Sequence, residues 1–256
     1  MKFNFKIQQF QTEAVDAVVG VFCGQPKQDR ASYRRDVGRI EKSPQKSFID
    51  EDDDIGYRNA VVELSDEKLL KNIREIQTRN NIRLSSSLVK ELGAASLDVE
   101  METGTGKTYV YIKTMFELYK RYGWGKFIVV VPSVAIREGA KKSFEITREH
   151  FMKLYGVKAR FFVYNSSNLH QLDEFSSGFG VNVMIINIQA FAASLKEDGR
   201  SKEARIIYST RDEFGSRRPI DVISGNRPII ILDEPQKMSG ETTQNALKNN
   251  LTRCFR

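Results

Sequence analysis

The chain has 256 residues, enough for one large domain or two small ones. Its 40% hydrophobic and 29% charged content is that of a globular protein, and Lys+Arg 40 against Asp+Glu 33 leave a net charge of +7, compatible with a nucleic-acid partner without requiring one. Cys23 and Cys254 stand at opposite ends of the chain, and His150 and His170 have no Cys or His nearby, which excludes a disulfide framework and a zinc ribbon.

In chain order, Met1–Lys6 lacks the apolar core of a signal peptide. Phe10, Ala14, Val15, Val18, Val19 and Phe22 recur at helical spacing and predict a helix over 7–22. Residues 24–60 turn polar, with Gly24, Pro26, Pro44 and the acidic run Asp50–Asp54, and read as an irregular or partly disordered insertion whose acidic run is a solvated loop. A helix is expected over 66–80, opened by Ser65 or Asp66.

Leu97-Asp98-Val99-Glu100-Met101 is expected as a strand, and Tyr109–Tyr122 as a helix. Between them stands Glu102-Thr103-Gly104-Thr105-Gly106-Lys107-Thr108. Strand, glycine-rich turn with Lys-Thr, then helix is the arrangement that holds ATP or GTP with Mg²⁺. Glycines let successive backbone N–H groups face one concavity, a nest for phosphate oxygens, and the following helix adds its positive end. Thr103, Gly104, Thr105 and Gly106 would line that nest, Lys107 would reach the β- and γ-phosphates, and the Thr108 hydroxyl would ligate Mg²⁺. The full G-x-x-x-x-G-K-[ST] pattern wants glycine where this chain has Met101.

Lys126–Pro132 holds a buried strand, and Phe127–Val131, the longest apolar run, is far too short to cross a membrane. With so few cysteines and no membrane segment, the cytoplasm is the expected compartment. Ser133 caps a long helix reaching about Tyr155, with Ile136, Ala140, Phe144, Ile146 and Phe151 on or near one face. Arg160–Tyr164, Val181–Ile188 and Ile229–Leu232 are further strands. Apolar strands alternating with helices imply an α/β fold with a parallel sheet covered on both faces.

The last strand ends in Asp233-Glu234-Pro235-Gln236. An apolar strand ending in Asp-Glu is how P-loop ATPases present their second acidic motif. Asp233 would hold Mg²⁺, largely through its water shell, and Glu234 would polarise the attacking water. Parallel sheets bind ligands at the carboxyl ends of their strands, so Lys107 and Asp233 can meet despite their distance in sequence.

Four segments carry a family resemblance: Asp98–Tyr111, Val130–Gly139, Met184–Phe191 and Asp233–Gln236. Together they resemble the restriction (Res) subunit of type III restriction–modification systems, over about Phe5 to Lys248. Met101 in place of glycine suits the P-loop variant of superfamily 2 helicases, and Asp-Glu-Pro-Gln departs from the Asp-Glu-Ala-Asp of RNA helicases.

The resemblance implies a RecA-like P-loop NTPase domain over residues 1–256, with residues 24–96 inserted between the N-terminal helix and the P-loop. It implies ATP and Mg²⁺, double-stranded DNA, and a modification (Mod) methyltransferase subunit that reads the DNA site. ATP hydrolysis would let two complexes communicate along DNA before cleavage. Gln11 would read adenine through its amide, which can donate to N7 and accept from N6. Pro132, Ser133 and Arg137 fall in the segment that touches the DNA backbone, where contacts position but do not specify. Asn187 and Gln189, after a strand end, are expected on the same face.

In the family, a Ser-Ala-Thr motif, a second RecA-like domain with an arginine for the γ-phosphate, and a nuclease should follow. The tail reads Thr252-Arg253-Cys254-Phe255 where Asn-Pro-Leu-Phe is usual. A codon run for Asn-Pro-Leu-Phe read one base later gives Thr-Arg-Cys-Phe. The expectation is therefore a frameshifted, truncated first motor domain without full activity; a chosen boundary does not predict an altered tail. Another superfamily 2 DNA translocase and an inactive nucleotide-binding remnant remain the alternatives.

Overall fold

Every residue of β3 (Lys126–Val131) is buried, because the strand lies in the middle of a parallel sheet with helices against both faces. The computed structural model describes residues 5–28, 31–35, 55–91, 93–190 and 206–238. Among them, β3 is flanked by β5 (Asn182–Asn187) and β6 (Ile229–Leu232), with β4 (Arg160–Val163) beyond β5, in the order β4-β5-β3-β6. All three pairings are parallel, with Val129 opposite both Ile185 and Ile231. Side chains alternate across the sheet. Phe127, Val129, Val131, Val183 and Ile185 face one core, shared with α1 (Gln9–Gly20), α3 (Lys107–Tyr122) and α4 (Val134–Tyr155). Ile128, Val130, Met184 and Ile186 face the other, with α5 (His170–Ser177) and α6 (Pro219–Gly225). Each such side chain contributes about 1.5–3 kcal/mol when fully buried. The fold is the expected α/β one.

The structure departs from the expected elements in informative places. Leu97–Met101 is not a strand: Asp98, Val99 and Glu100 are exposed, Val99 by 46%. β6 pairs with β3 along one edge and has no partner on the other among the described residues. A strand exists only where a neighbour's N–H and C=O groups complete a ladder, and nothing described does so for this segment. Helices α5 and α6 are short and were not foreseen. His150 is part-buried, with Nε2 2.9 Å from the Tyr109 hydroxyl and its ring against Phe5 and Phe151. Its pKa is lowered by burial, then by Lys113 and Lys153.

Residues 24–60, expected to be irregular, contain a two-stranded antiparallel ribbon, β1 (Ser32–Arg34) and β2 (Ile55–Tyr57). The acidic run Asp50–Asp54 and the tail Thr252–Phe255 lie outside the described residues. The segment after the ribbon is stitched to the sheet. Asn59 Oδ1 accepts from the backbone N–H of Gly125 (2.8 Å) and Lys126 (2.9 Å), and Nδ2 donates to the carbonyls of Lys126 (2.8 Å) and Arg227 (3.0 Å). Gln25 clamps the next stretch, donating to Val61 O and accepting from Glu63 N. Helix α2 (Asp66–Arg79) begins at the expected Ser65 cap, whose hydroxyl accepts from Lys68 N. Its Asn72 donates to the carbonyls of Val21 and Cys23, fastening α2 to the end of α1.

The amino-terminal end of β3 carries a fully buried lysine. Lys126 Nζ donates to the carbonyls of Phe175, Ser176 and Gly178 and so satisfies the C-terminal end of α5. Burial, with Arg160 and Arg35 alongside, pushes its pKa down to about 7, while those carbonyls favour the charged form.

Candidate nucleotide-binding site

The glycine-rich turn sits at the N-terminus of α3. Gly104 and Gly106 have φ of 83° and 90°, the left-handed region that side chains avoid. A Cβ on Gly104 would meet nothing within 4 Å, so the turn is open there. A Cβ on Gly106 would come within 2.7 Å of Gln11 Nε2. Gln11 belongs to α1, yet its amide donates to Thr105 O at 2.8 Å. Thr105 Oγ1 in turn donates to Glu102 O at 2.6 Å, closing the loop on itself. Thr103 is exposed at the turn's tip, and Lys107 and Thr108 occupy the first turn of α3, two residues before the expected helix start.

The acidic motif meets this turn. Lys107 Nζ lies 3.4 Å from Glu234 Oε1 and 3.5 Å from Met101 O, so Met101 supplies a carbonyl where the common pattern has glycine. Glu234 follows the carboxyl end of β6, and Asp233 N donates to Val130 O, holding the motif against β3. Glu234 itself has φ 58°, a strained backbone for a residue with a side chain. Its carboxylate is held from both sides: Gln236 Nε2 donates to Oε2 at 2.6 Å, and Lys237 Nζ stands 3.6 Å from the same oxygen. Burial would raise the Glu234 pKa, but Lys107 and Lys237 outweigh it and hold the carboxyl below its usual range. Asp233 moves the other way, raised by burial and then by the Glu234 charge. The two adjacent acids are thus set apart: the lysines lower one, while burial and its neighbour's charge raise the other despite Lys107 and Lys237.

Among the described residues no three His, Cys, Asp or Glu side chains cluster as a metal site. Mg²⁺ does not need one, since it is held by one or two protein oxygens, waters and phosphates. Thr108 and Asp233 are such donors. The buried Tyr111 hydroxyl has both as its polar neighbours. Sequence reading passed over Tyr111, Gln236 and Lys237. Tyr111 lies one helical turn after Lys107, a spacing that could have flagged it, but an aromatic there reads first as core.

The residues expected to face DNA gather along the same edge of the sheet. Pro132 and Ser133 follow β3, and Asn187 and Gln189 stand at the end of β5 and just after it. Gln189 Nε2 donates to Pro132 O at 3.1 Å. Ser133 Oγ accepts from Ile136 N at 3.4 Å as the cap of α4. Arg137 pairs with Glu138 at 3.0 Å, and the Asn187 Oδ1 atom is buried without a partner.

A parallel sheet with a glycine-rich turn and an Asp-Glu strand end meeting at its carboxyl edge defines a RecA-like α/β P-loop domain of the helicase-like ATPase class. The chain belongs to the type III restriction enzyme res subunit family, whose profile, described as "Type III restriction enzyme, res subunit", matches residues 66–256. It is 31% identical over 200 residues to the EcoP15I Res subunit of Escherichia coli, covering 70% of this chain and 19% of that protein. It is 30% identical over 213 residues to the EcoPI Res subunit of Escherichia phage P1, covering 73% and 20%. To the StyLTI Res subunit of Salmonella typhimurium strain LT2 it is 30% identical over 174 residues, covering 60% and 17%. The chain spans about a fifth of the length of these relatives. Among the described residues no helix is long and apolar enough to cross a membrane.

Proposed function

We propose that these 256 residues form the first motor domain of a type III restriction endonuclease subunit, a cytoplasmic enzyme in which ATP hydrolysis is coupled to communication along DNA and cleavage. The observation that carries the reading is the 3.4 Å approach of Lys107 to Glu234 at the carboxyl edge of the sheet. Mg·ATP bound there supplies a γ-phosphate open to attack by water. Lys107 leaves Glu234 to neutralise phosphate charge. Thr108 and Asp233 hold the metal. Glu234, kept ionised by Lys237 and oriented by Gln236, takes the proton of the attacking water. The backbone N–H groups of Thr103 to Gly106 cradle phosphate oxygens. Gln11, with its NH₂ on Thr105 O, keeps Oε1 to accept from the adenine amino group. Pro132, Ser133, Arg137, Asn187 and Gln189 track the backbone of double-stranded DNA, whose sequence is read by the Mod subunit. Within residues 24–96, Asn72 fastens to the end of the N-terminal helix and Asn59 to the base of the sheet.

Titration with a fluorescent ATP analogue and Mg²⁺ tests the reading: saturable binding displaced by unlabelled ATP supports it, and absence of binding overturns it. Glu234→Gln is expected to keep Mg·ATP binding while any DNA-stimulated hydrolysis that the wild type shows falls by about 10²–10⁴-fold, the usual contribution of a positioned base. Arg137→Ala is expected to weaken binding to duplexes of any sequence and to lower the salt slope by about 1, read from fluorescence anisotropy at several salt concentrations. A slope equal to wild type would remove Arg137 from the DNA face.

A further inference from the structure

We propose that Tyr111 is a positioning residue for the metal: its phenolic hydroxyl braces the two Mg²⁺ donors, Asp233 and Thr108, so that both face the same point. The inference rests on the proposed nucleotide site. Tyr111 is on α3, three residues after Thr108, so both side chains lie on one face of the helix. Its ring needs no special explanation, since it packs beside Phe144 with centroids 6.4 Å apart. The oxygen is what a phenylalanine would lack. It is cut off from solvent, and its polar neighbours are the Asp233 carboxylate and the Thr108 hydroxyl.

A buried hydroxyl is disfavoured unless polar neighbours complete it, and here those neighbours are the two groups proposed to hold the metal. One Asp233 carboxylate oxygen meets the phenol. The phenol then donates to that oxygen and leaves the other to face the metal or its water. The phenol oxygen can accept the Thr108 proton, turning the Thr108 lone pairs outward. Partners that orient metal ligands in this way are typically worth about 10–100-fold in metal affinity.

The test is Tyr111→Phe in the full chain, with ATP binding followed at fixed ATP across a Mg²⁺ titration and again in EDTA. The unfolding temperature is read without nucleotide. The expected result is a Mg²⁺ midpoint raised by about 10–100-fold, with wild-type ATP affinity recovered at saturating Mg²⁺. Binding in EDTA and the nucleotide-free unfolding temperature should match wild type. An unshifted midpoint overturns the proposal, as does a loss of ATP affinity that is equal in Mg²⁺ and in EDTA, because that is packing damage. If wild type binds no nucleotide under any condition, the nucleotide reading falls and this proposal with it. Wild-type binding with an unshifted variant sinks this proposal alone.

Discussion

Lys107→Ala is expected to weaken Mg·ATP binding by about 10- to 150-fold while leaving the fold intact. The first half comes from the groups that the ammonium would touch: a hydrogen bond to a charged group is worth about 1.5–3 kcal/mol, and about 1.4 kcal/mol is tenfold in affinity. The second half comes from its present contacts. Its side chain is 34% exposed, its contact with Glu234 is 3.4 Å, and an exposed pair of this kind is worth about 0–1 kcal/mol. Calorimetric titration with ATP and Mg²⁺ beside a thermal melt separates the two. An affinity within about twofold of wild type, under 0.5 kcal/mol, would mean that phosphate is not held at this turn. Lys107→Arg is expected to restore little, because a planar guanidinium cannot occupy the position of a compact ammonium at the head of the helix.

Asn59→Ala should produce a large loss of stability for a single polar truncation, about 3–5 kcal/mol. The side chain is 3% exposed and satisfies two backbone donors and two backbone acceptors at the start of β3 and just before β6. Each buried group left unpaired costs about 1–3 kcal/mol, with relaxation and water entry recovering part of the sum. Urea unfolding at constant slope measures it, and a loss under about 1 kcal/mol would show that this clamp is ornamental. Asn59 acts at the amino-terminal end of β3, whereas Lys107 and Glu234 meet beyond the carboxyl ends of the strands. Nucleotide affinity of the folded protein is therefore expected to hold in Asn59→Ala and to fall in Lys107→Ala, with stability showing the opposite pattern.

Much of the architecture was written in contiguous residues. Lys126–Val131, Asn182–Asn187 and Ile229–Leu232 have nearly continuous apolar interiors, which is what a strand covered on both faces requires. Ser133 followed by a 3.6-residue apolar period fixed the start and inner face of α4, where Ala140, Phe144 and Phe151 are buried. Gly104 and Gly106 take the positive φ that a phosphate-binding turn needs, and glycine declares that need by itself. The motifs were sufficient to place the chain in its family.

Other features depended on partners far away in the chain. Leu97–Met101 has strand-like alternation, but a strand also needs a neighbouring ladder, and pattern carries no information about a neighbour. The ribbon of Ser32–Arg34 with Ile55–Tyr57 was hidden for the converse reason: short polar strands become strands only because each pairs with the other. Asn59 reaches Arg227 across 168 residues, Gln11 reaches Thr105 across 94, and Tyr111 stands beside Asp233. By itself, then, the sequence determined the four strands of the parallel sheet, the principal helices, the glycine-rich turn and the family, since those depend on local backbone preference and apolar period. Only the tertiary structure decided which side chains clamp the sheet, which atoms surround Glu234, and that the Tyr111 hydroxyl stands beside Asp233 and Thr108. Those depend on side-chain to backbone bonds and on charges brought together by folding, and no local pattern encodes them.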